Sequence, residues 1–113
     1  MSIVKEANPV AIKIAKKFAE AVHELVPGAV VKLFGSAARG EMEDLSDIDI
    51  YVELPDEAAT DVAREKINDL AWEVGFAHDS VIQQVVYQKS EIWESPLRSS
   101  PFIKAVTNEG ILL

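Results

Sequence analysis

The segment from Asp47 to Leu54, which reads DIDIYVEL, alternates strictly between polar and apolar residues. A period of two is typical of a β-strand with one face packed on a core. The apolar face carries Ile48, Ile50, Val52 and Leu54. The opposite face carries Asp47, Asp49, Tyr51 and Glu53. Pro55 follows and ends the strand, because proline cannot donate to a sheet ladder. The segment therefore predicts a sheet strand from Asp47 to Leu54.

A helix is predicted before this strand, since Asn8-Pro9 combines a capping side chain with proline at the first helical position. Apolar residues then recur at helical spacing until Pro27-Gly28: Val10, Ile14, Phe18, Val22 and Leu25. The short apolar run from Ala29 to Phe34 predicts another strand. The residues from Glu41 to Ser46 are interpreted as an acidic connector between the two strands.

After Pro55, a helix is predicted from about Asp56 or Asp61 to about Gly75, and its apolar stripe is Ala63, Ile67, Leu70, Ala71 and Val74. Val81–Tyr87 predicts a third strand, and its apolar character on both faces, apart from Gln83 and Gln84, favours a central position in the sheet. A short helical turn at Ser90–Trp93 and a helix at Phe102–Glu109 complete the pattern. The order of elements predicts one α/β domain over residues 1–113, with a mixed sheet of about three to four strands packed with helices.

Composition excludes several kinds of site. The 113 residues include no cysteine, so disulfides, thiolate metal sites and cysteine nucleophiles are excluded. The net charge of −8 and the scattered lysines argue against general nucleic-acid binding. Neither a secretory signal nor an apolar run of about 18 residues is found, which favours a cytoplasmic protein without membrane spans.

Gly35 and Ser36 directly follow the first predicted strand. Glycine permits a sharp turn and close approach of a ligand, and a helix beginning at Ser36 would direct free N–H groups at phosphate oxygens. Arg39 and Gly40 end this turn. The Arg39 guanidinium could contact a phosphate or hold the acidic connector. The turn is thus a candidate phosphate-binding element.

Asp47 and Asp49 project from the same strand face, because residues two apart in a strand point the same way. Two neighbouring carboxylates repel each other unless a cation lies between them. Mg²⁺ prefers oxygen ligands and is commonly held by one or two carboxylates and substrate phosphates, and Mn²⁺ accepts the same ligands. A phosphate cradle beside a carboxylate pair is the layout used for phosphoryl and nucleotidyl transfer.

The segment GSAARGEMEDLSDIDIYVEL resembles the signature of the polymerase-β-type nucleotidyltransferase superfamily, and in particular its minimal nucleotidyltransferase branch. The resemblance implies an α/β fold with a mixed sheet. It also implies Mg²⁺-dependent transfer of a nucleoside monophosphate from an NTP, with ATP as the expected donor, and release of pyrophosphate. By position, Ser36 would bind the triphosphate, while Asp47 and Asp49 would ligate the metal.

The resemblance also implies a third carboxylate on a later strand, where this chain has Gln83. Asp79, interpreted as lying earlier on the same strand face, is the substitute candidate and is included among the catalytic residues. Glu53 shares a face with the aspartate pair and is a weaker candidate.

Two functions remain open at this point. One is an active nucleotidyltransferase whose acceptor hydroxyl lies on a partner protein. The other is a weak or inactive relative that acts as an antitoxin by binding a helical toxin of the HEPN type, a partner that the resemblance implies. Trp72 and Trp93 are interpreted as core or interface anchors, and a homo-oligomer also stays open.

Overall fold

The computed structural model describes residues 7–41 and 47–113. Its α-helices are α1 (Pro9–Leu25), α2 (Gly35–Ala38), α3 (Asp61–Ala77), α4 (Lys89–Trp93) and α5 (Pro101–Glu109). Its strands are β1 (Val30–Phe34), β2 (Ile48–Leu54), β3 (Ile82–Gln88) and β4 (Ile111–Leu112). Two 3₁₀ helices lie at Asp56–Ala58 and Pro96–Ser99. Residues 42–46 of the predicted acidic connector lie outside the described part of the chain.

The four strands form one mixed sheet in the order β3-β2-β1-β4. β1 pairs with β2 and with β4 in antiparallel fashion, while β2 and β3 run parallel. A parallel pair needs a long crossover connection, which α3 provides. The predicted mixed α/β fold is confirmed.

Local sequence signals set most element boundaries. The Asn8 side chain accepts hydrogen bonds from the N–H groups of Val10 and Ala11 at the start of α1. Thr60 caps α3 through Ala63 N–H, and Ser100 caps α5 through Ile103 N–H. Each cap satisfies a backbone donor that the first helical turn leaves without a partner. α3 therefore begins at Asp61, the later of the two starts predicted for it.

The main core lies between one face of the sheet and the helices α1 and α3. The predicted apolar face of β2 is fully buried there, together with Phe18, Leu33 and Ile67. Val10 is an exception to the predicted stripe of α1, because its side chain is 67% exposed and Ala11 occupies the buried position beside it. The second residue of α1 therefore lies off the apolar stripe.

The opposite face of the sheet is covered as well. Tyr51 is buried there with Ile92 of α4 and with Ile103 and Val106 of α5. Phe34 and Phe102 add an edge-to-face contact with ring centroids 5.4 Å apart. The polar face of β2 is thus open to a ligand only near its first residues, where Asp47 and Asp49 lie.

Two predictions about β3 are wrong. β3 lies at an edge of the sheet rather than in the centre, because β2 takes the position between β1 and β3. Helices cover both faces of β3, which explains its apolar residues. Covered faces do not indicate where a strand lies in the order of the sheet. Asp79 is also not on the strand: it lies in the connection after α3, is exposed and has a φ of 50°. Gly75 and Phe76 carbonyls accept backbone bonds in that turn, so the extended conformation begins only later.

Among the described residues, no helix combines the length and apolar character that crossing a bilayer would require.

Candidate active site

The glycine-serine turn and the aspartate pair meet because of strand register. Phe34, the last residue of β1, is the pairing partner of Asp49 in β2. Gly35 follows Phe34 directly and has a φ of 74°. A Cβ atom placed on Gly35 would overlap the Asp49 carboxylate and lie 3.2 Å from its Cγ atom. The Asp49 side chain therefore projects toward the turn, as the sequence predicts.

Asp47 and Asp49 differ in their surroundings. Asp47 immediately precedes β2, whereas Asp49 is the second residue of the strand, and both side chains are half-buried. Burial raises the pKa of the Asp49 carboxyl above its ordinary value of 3.8, and the negative charge of Asp47 raises it further. Arg39 opposes both effects. The two acids are thus close enough to repel, which is the arrangement that a cation relieves.

The helix α2 begins at Gly35, next to the Asp49 carboxylate, and Ser36 is its second residue. Phe34 is its N-cap residue, and a phenyl ring offers no acceptor to the N–H groups of the first turn. These N–H groups and the Ser36 hydroxyl are hydrogen-bond donors of the kind that phosphate oxygens accept. The Ser36 carbonyl accepts a 2.9 Å bond from the Glu41 N–H, which holds the end of the turn.

Arg39 and Gly40 close the turn. The Arg39 Nε atom lies 3.2 Å from a Glu41 carboxylate oxygen, and its Nη1 atom lies 3.4 Å from a Glu109 oxygen at the end of α5. Gly40 has a φ of 70°, a conformation that favours glycine. Two roles are predicted for Arg39, namely contact with a phosphate and contact with the acidic connector. The structure shows the second, because Glu41 belongs to that connector. A phosphate contact would require the guanidinium to leave one of these two glutamates.

The third carboxylate is the point at which this site departs from the pattern that the sequence resemblance implies. Gln83 pairs with Asp49 across the parallel strands, so its amide occupies the position next to that acid on the same sheet face. Within residues 7–41 and 47–113, no three acidic or histidine side chains come together in a way that could hold a metal ion. Asp79 therefore does not complete a three-acid site with the described residues.

Glu53 is engaged elsewhere. Its Oε1 atom accepts a 2.9 Å bond from the Tyr51 hydroxyl and a 2.7 Å bond from Trp93 Nε1. Its side chain is buried under α4, at the end of β2 away from Asp49. The sequence indicates the shared face of Tyr51 and Glu53 but contains no signal for Trp93, which is 40 residues distant. The sequence does not predict this buried cluster of Tyr51, Glu53 and Trp93.

Comparison with known proteins identifies the family. A family model described as a nucleotidyltransferase domain matches residues 15–113. The chain belongs to the nucleotidyltransferase family. A Methanocaldococcus jannaschii protein named "Putative protein adenylyltransferase MJ0141" is 30% identical to this nucleotidyltransferase over 102 residues, which span 88% of this chain and 95% of the relative.

Solved structures support the same fold. A toxin-antitoxin crystallised with AMP-PNP is 26% identical, with a TM-score of 0.55 over 87% of this chain and 70% of that chain. The toxin-antitoxin MntA-HpeT, carrying two aspartate-to-glutamate substitutions, has the same TM-score and coverage at 24% identity. At that identity the second comparison shows the fold alone. This nucleotidyltransferase domain thus carries the glycine-serine turn and the paired acids on the fold expected for its family.

Replacing Gly35 by alanine tests the close approach between the turn and Asp49. The left-handed φ is strained for alanine, and the added methyl overlaps the carboxylate. We expect a loss of about 1–3 kcal/mol in the free energy of unfolding, measured by urea denaturation. Gly28→Ala is the control, because its new Cβ would meet only the ring of Pro55, at 3.0 Å, without a left-handed φ. Equal losses in the two variants would contradict the assigned geometry.

Proposed function

We propose that this nucleotidyltransferase transfers a nucleoside monophosphate from ATP to a hydroxyl group on a partner protein. The observation that carries the proposal is the Asp49 carboxylate, which faces Gly35 of the turn across the register of β1 and β2 and has Asp47 near enough to raise its pKa. The name of the M. jannaschii relative supports the reaction class and a protein acceptor. AMP-PNP in the related toxin-antitoxin supports an adenine nucleotide.

The residues present fit a divalent cation. Asp47 and Asp49 offer hard oxygen ligands, and the mutual repulsion that raises the pKa of Asp49 falls when a cation is shared. These two aspartates would hold Mg²⁺. Bound there, it would supply positive charge that neutralises the triphosphate and the departing pyrophosphate.

The turn at Gly35–Ser36 would bind and align the nucleotide. The Ser36 hydroxyl and the N–H groups of α2 would bind the β- and γ-phosphates and align the α-phosphorus with the acceptor. The acceptor oxygen then forms a bond to the α-phosphorus, and the bond from that phosphorus to the oxygen bridging the β-phosphate breaks. Pyrophosphate leaves, and the hydroxyl proton passes to solvent, because Gln83 stands where a carboxylate could have accepted it.

The second candidate function is an antitoxin that binds a HEPN-type toxin with weak or no transfer activity. The amide of Gln83 beside Asp49 favours it, since a neutral side chain adds no charge to the cation site. The related toxin-antitoxin crystallised with AMP-PNP is compatible with such a partner.

One experiment separates the two functions. The chain is incubated with ATP labelled at the α-phosphate, Mg²⁺ and the protein encoded beside its gene. Label that becomes covalently attached to that protein, and depends on Asp49, supports transfer. Stable association without attached label supports the antitoxin function. Neither association nor transfer would contradict both.

Replacing Gln83 by aspartate tests how far the amide limits the site. A third carboxylate beside Asp49 adds negative charge, so we expect divalent-cation affinity to rise about tenfold, equivalent to about 1.4 kcal/mol. Isothermal titration with Mn²⁺ measures the change. Gln84→Asp is the matched control: Gln84 points to the other face of β3, where it bonds Asn68. A rise in both variants would indicate a general charge effect instead.

A further inference from the structure

Two large aromatic side chains lie exposed on α3, away from the site. Trp72 is 74% exposed and Phe76 is 79% exposed. They are one helical turn apart, so they share a face. Val81, on the connection before β3, and Val62, near the start of α3, are also more than half exposed. Exposed apolar surfaces of this kind mark interaction sites.

The spacing along α3 suits a second helix. Positions 62, 65, 69, 72 and 76 follow alternating steps of three and four residues, the period of a seam between packed helices. These residues are Val62, Glu65, Asp69, Trp72 and Phe76. We name this stripe, with Glu73 and Val81, the outer face of α3. Its partner-facing surface is apolar toward the C-terminal end of the helix and acidic in the middle.

Trp72 separates two grooves on this face. One, of ≈ 500 Å³, is lined by Asp69, Trp72, Glu73 and Phe76. The other, of ≈ 400 Å³, lies between α3 and the start of β3, and its lining includes Ala71, Trp72 and Val81. A rigid aromatic ridge between two recesses is the form that interface anchors take. Apolar side chains of a partner could enter both recesses.

Charge decides between the candidate occupants. Asp69 and Glu73 line the first groove, Glu65 shares the stripe, and the whole chain carries a net charge of −8. A second copy or an anionic lipid surface would bring like charges together. We propose that the outer face of α3 docks a helix of a partner protein whose apolar side chains are flanked by lysine or arginine.

One end of the docking surface lies next to the strand that carries the candidate active site. The Ile48 N–H donates a 2.9 Å bond to the Val81 carbonyl, so the Val81 end of the surface adjoins the start of β2, where Asp47 lies. Asp49 projects from the sheet face opposite α3, so a partner held on α3 would present its hydroxyl to the acids around that end of the sheet. This positioning role rests on the proposed function, whereas docking itself does not.

The test uses a phage-displayed library of random peptides of about 16 residues, long enough for four helical turns. Selection is carried out on the folded protein without nucleotide or Mg²⁺. Enriched peptides are then titrated against four proteins: wild type, Trp72→Ser/Phe76→Ser, Asp69→Lys/Glu73→Lys and Val10→Ser. Val10 is the matched control, because it is an apolar residue with 67% exposure on a different helix. All these positions are exposed, so circular dichroism should show the variants folded.

We expect peptides that combine apolar and basic residues. They should bind wild type and Val10→Ser equally, and both double variants at least tenfold more weakly. Three results would overturn the proposal: no enrichment, peptides without basic residues, or equal binding to the Trp72→Ser/Phe76→Ser variant. Sedimentation equilibrium adds a fourth, since a wild-type dimer that this variant abolishes would identify a second copy as the occupant. Asp49→Asn should keep peptide binding, so a failure of nucleotide transfer leaves the docking result intact.

Discussion

Replacing Asp49 by asparagine is expected to lower nucleotide transfer by about 100-fold or more while making the metal-free protein more stable. Loss of one anionic ligand removes charge stabilisation of roughly 3 kcal/mol from the reacting complex, and each 1.36 kcal/mol is tenfold in rate. The stabilisation has a separate cause. Asp49 is half-buried beside Asp47, and asparagine removes both the desolvation cost and the repulsion.

The pH dependence of this effect follows from the direction of the pKa shift. The folded chain holds the Asp49 proton to a higher pH than the unfolded chain, because burial and Asp47 raise the pKa above 3.8. The contribution of Asp49 to stability is therefore fully present below pH 3.8 and is lost as the pH rises through the folded-state pKa. The melting temperatures of wild type and Asp49→Asn should converge at acid pH and separate at neutral pH.

Thermal melts at several pH values, with and without Mg²⁺, measure both effects. Mg²⁺ should raise the melting temperature of wild type more than that of Asp49→Asn, because a ligand that binds only the folded state stabilises it. Glu57→Gln is the control, since it removes one negative charge from an exposed position outside the site. Equal responses in the two variants would mean that net charge, rather than the aspartate pair, determines the result.

The sequence was sufficient for the parts of the site that depend on local periodicity. Alternation in β2 placed Asp47 and Asp49 on one face, and the glycine after β1 marked the turn. Their meeting depends on the pairing of Phe34 with Asp49, at the end of the antiparallel ladder between β1 and β2. Caps such as Asn8 and Ser100 were readable for the same reason, because capping acts over three residues.

Features that depend on distant residues could not be predicted. The contact of Arg39 with Glu109 spans 70 positions, and nothing near either residue indicates it. The predicted central position of β3 is wrong because hydrophobicity indicates only which faces of a strand are covered. It does not indicate which edges of the strand pair with other strands. The sequence predicts Asp79 on a strand because nothing in it marks the turn that follows α3. Hydrogen bonds to the backbone carbonyls of Gly75 and Phe76 hold that turn.

Removing the Glu53 side chain is expected to cost about 3 kcal/mol of unfolding free energy. Its Oε1 atom accepts bonds from the Tyr51 hydroxyl and from Trp93 Nε1, and Glu53→Ala would leave both donors without that acceptor and open a cavity. Burial and the bond to Glu53 also raise the pKa of Tyr51 above its ordinary value, so the phenol stays a donor at neutral pH. Glu53→Gln retains an oxygen acceptor and should cost about 1 kcal/mol.

The same variants decide whether Glu53 supplies the third acid that is not found beside Asp47 and Asp49 in residues 7–41 and 47–113. It lies four residues beyond Asp49 along β2, about 13 Å at 3.3 Å per residue, and its Oε1 atom is held under α4. Divalent-cation affinity of Glu53→Gln should therefore stay within about twofold of wild type, less than 0.5 kcal/mol. A double-mutant cycle with Trp93→Phe should give a coupling of about 1–2 kcal/mol in urea denaturation. Tenfold weaker cation binding, with no coupling to Trp93, would instead assign Glu53 to the metal site as its third carboxylate.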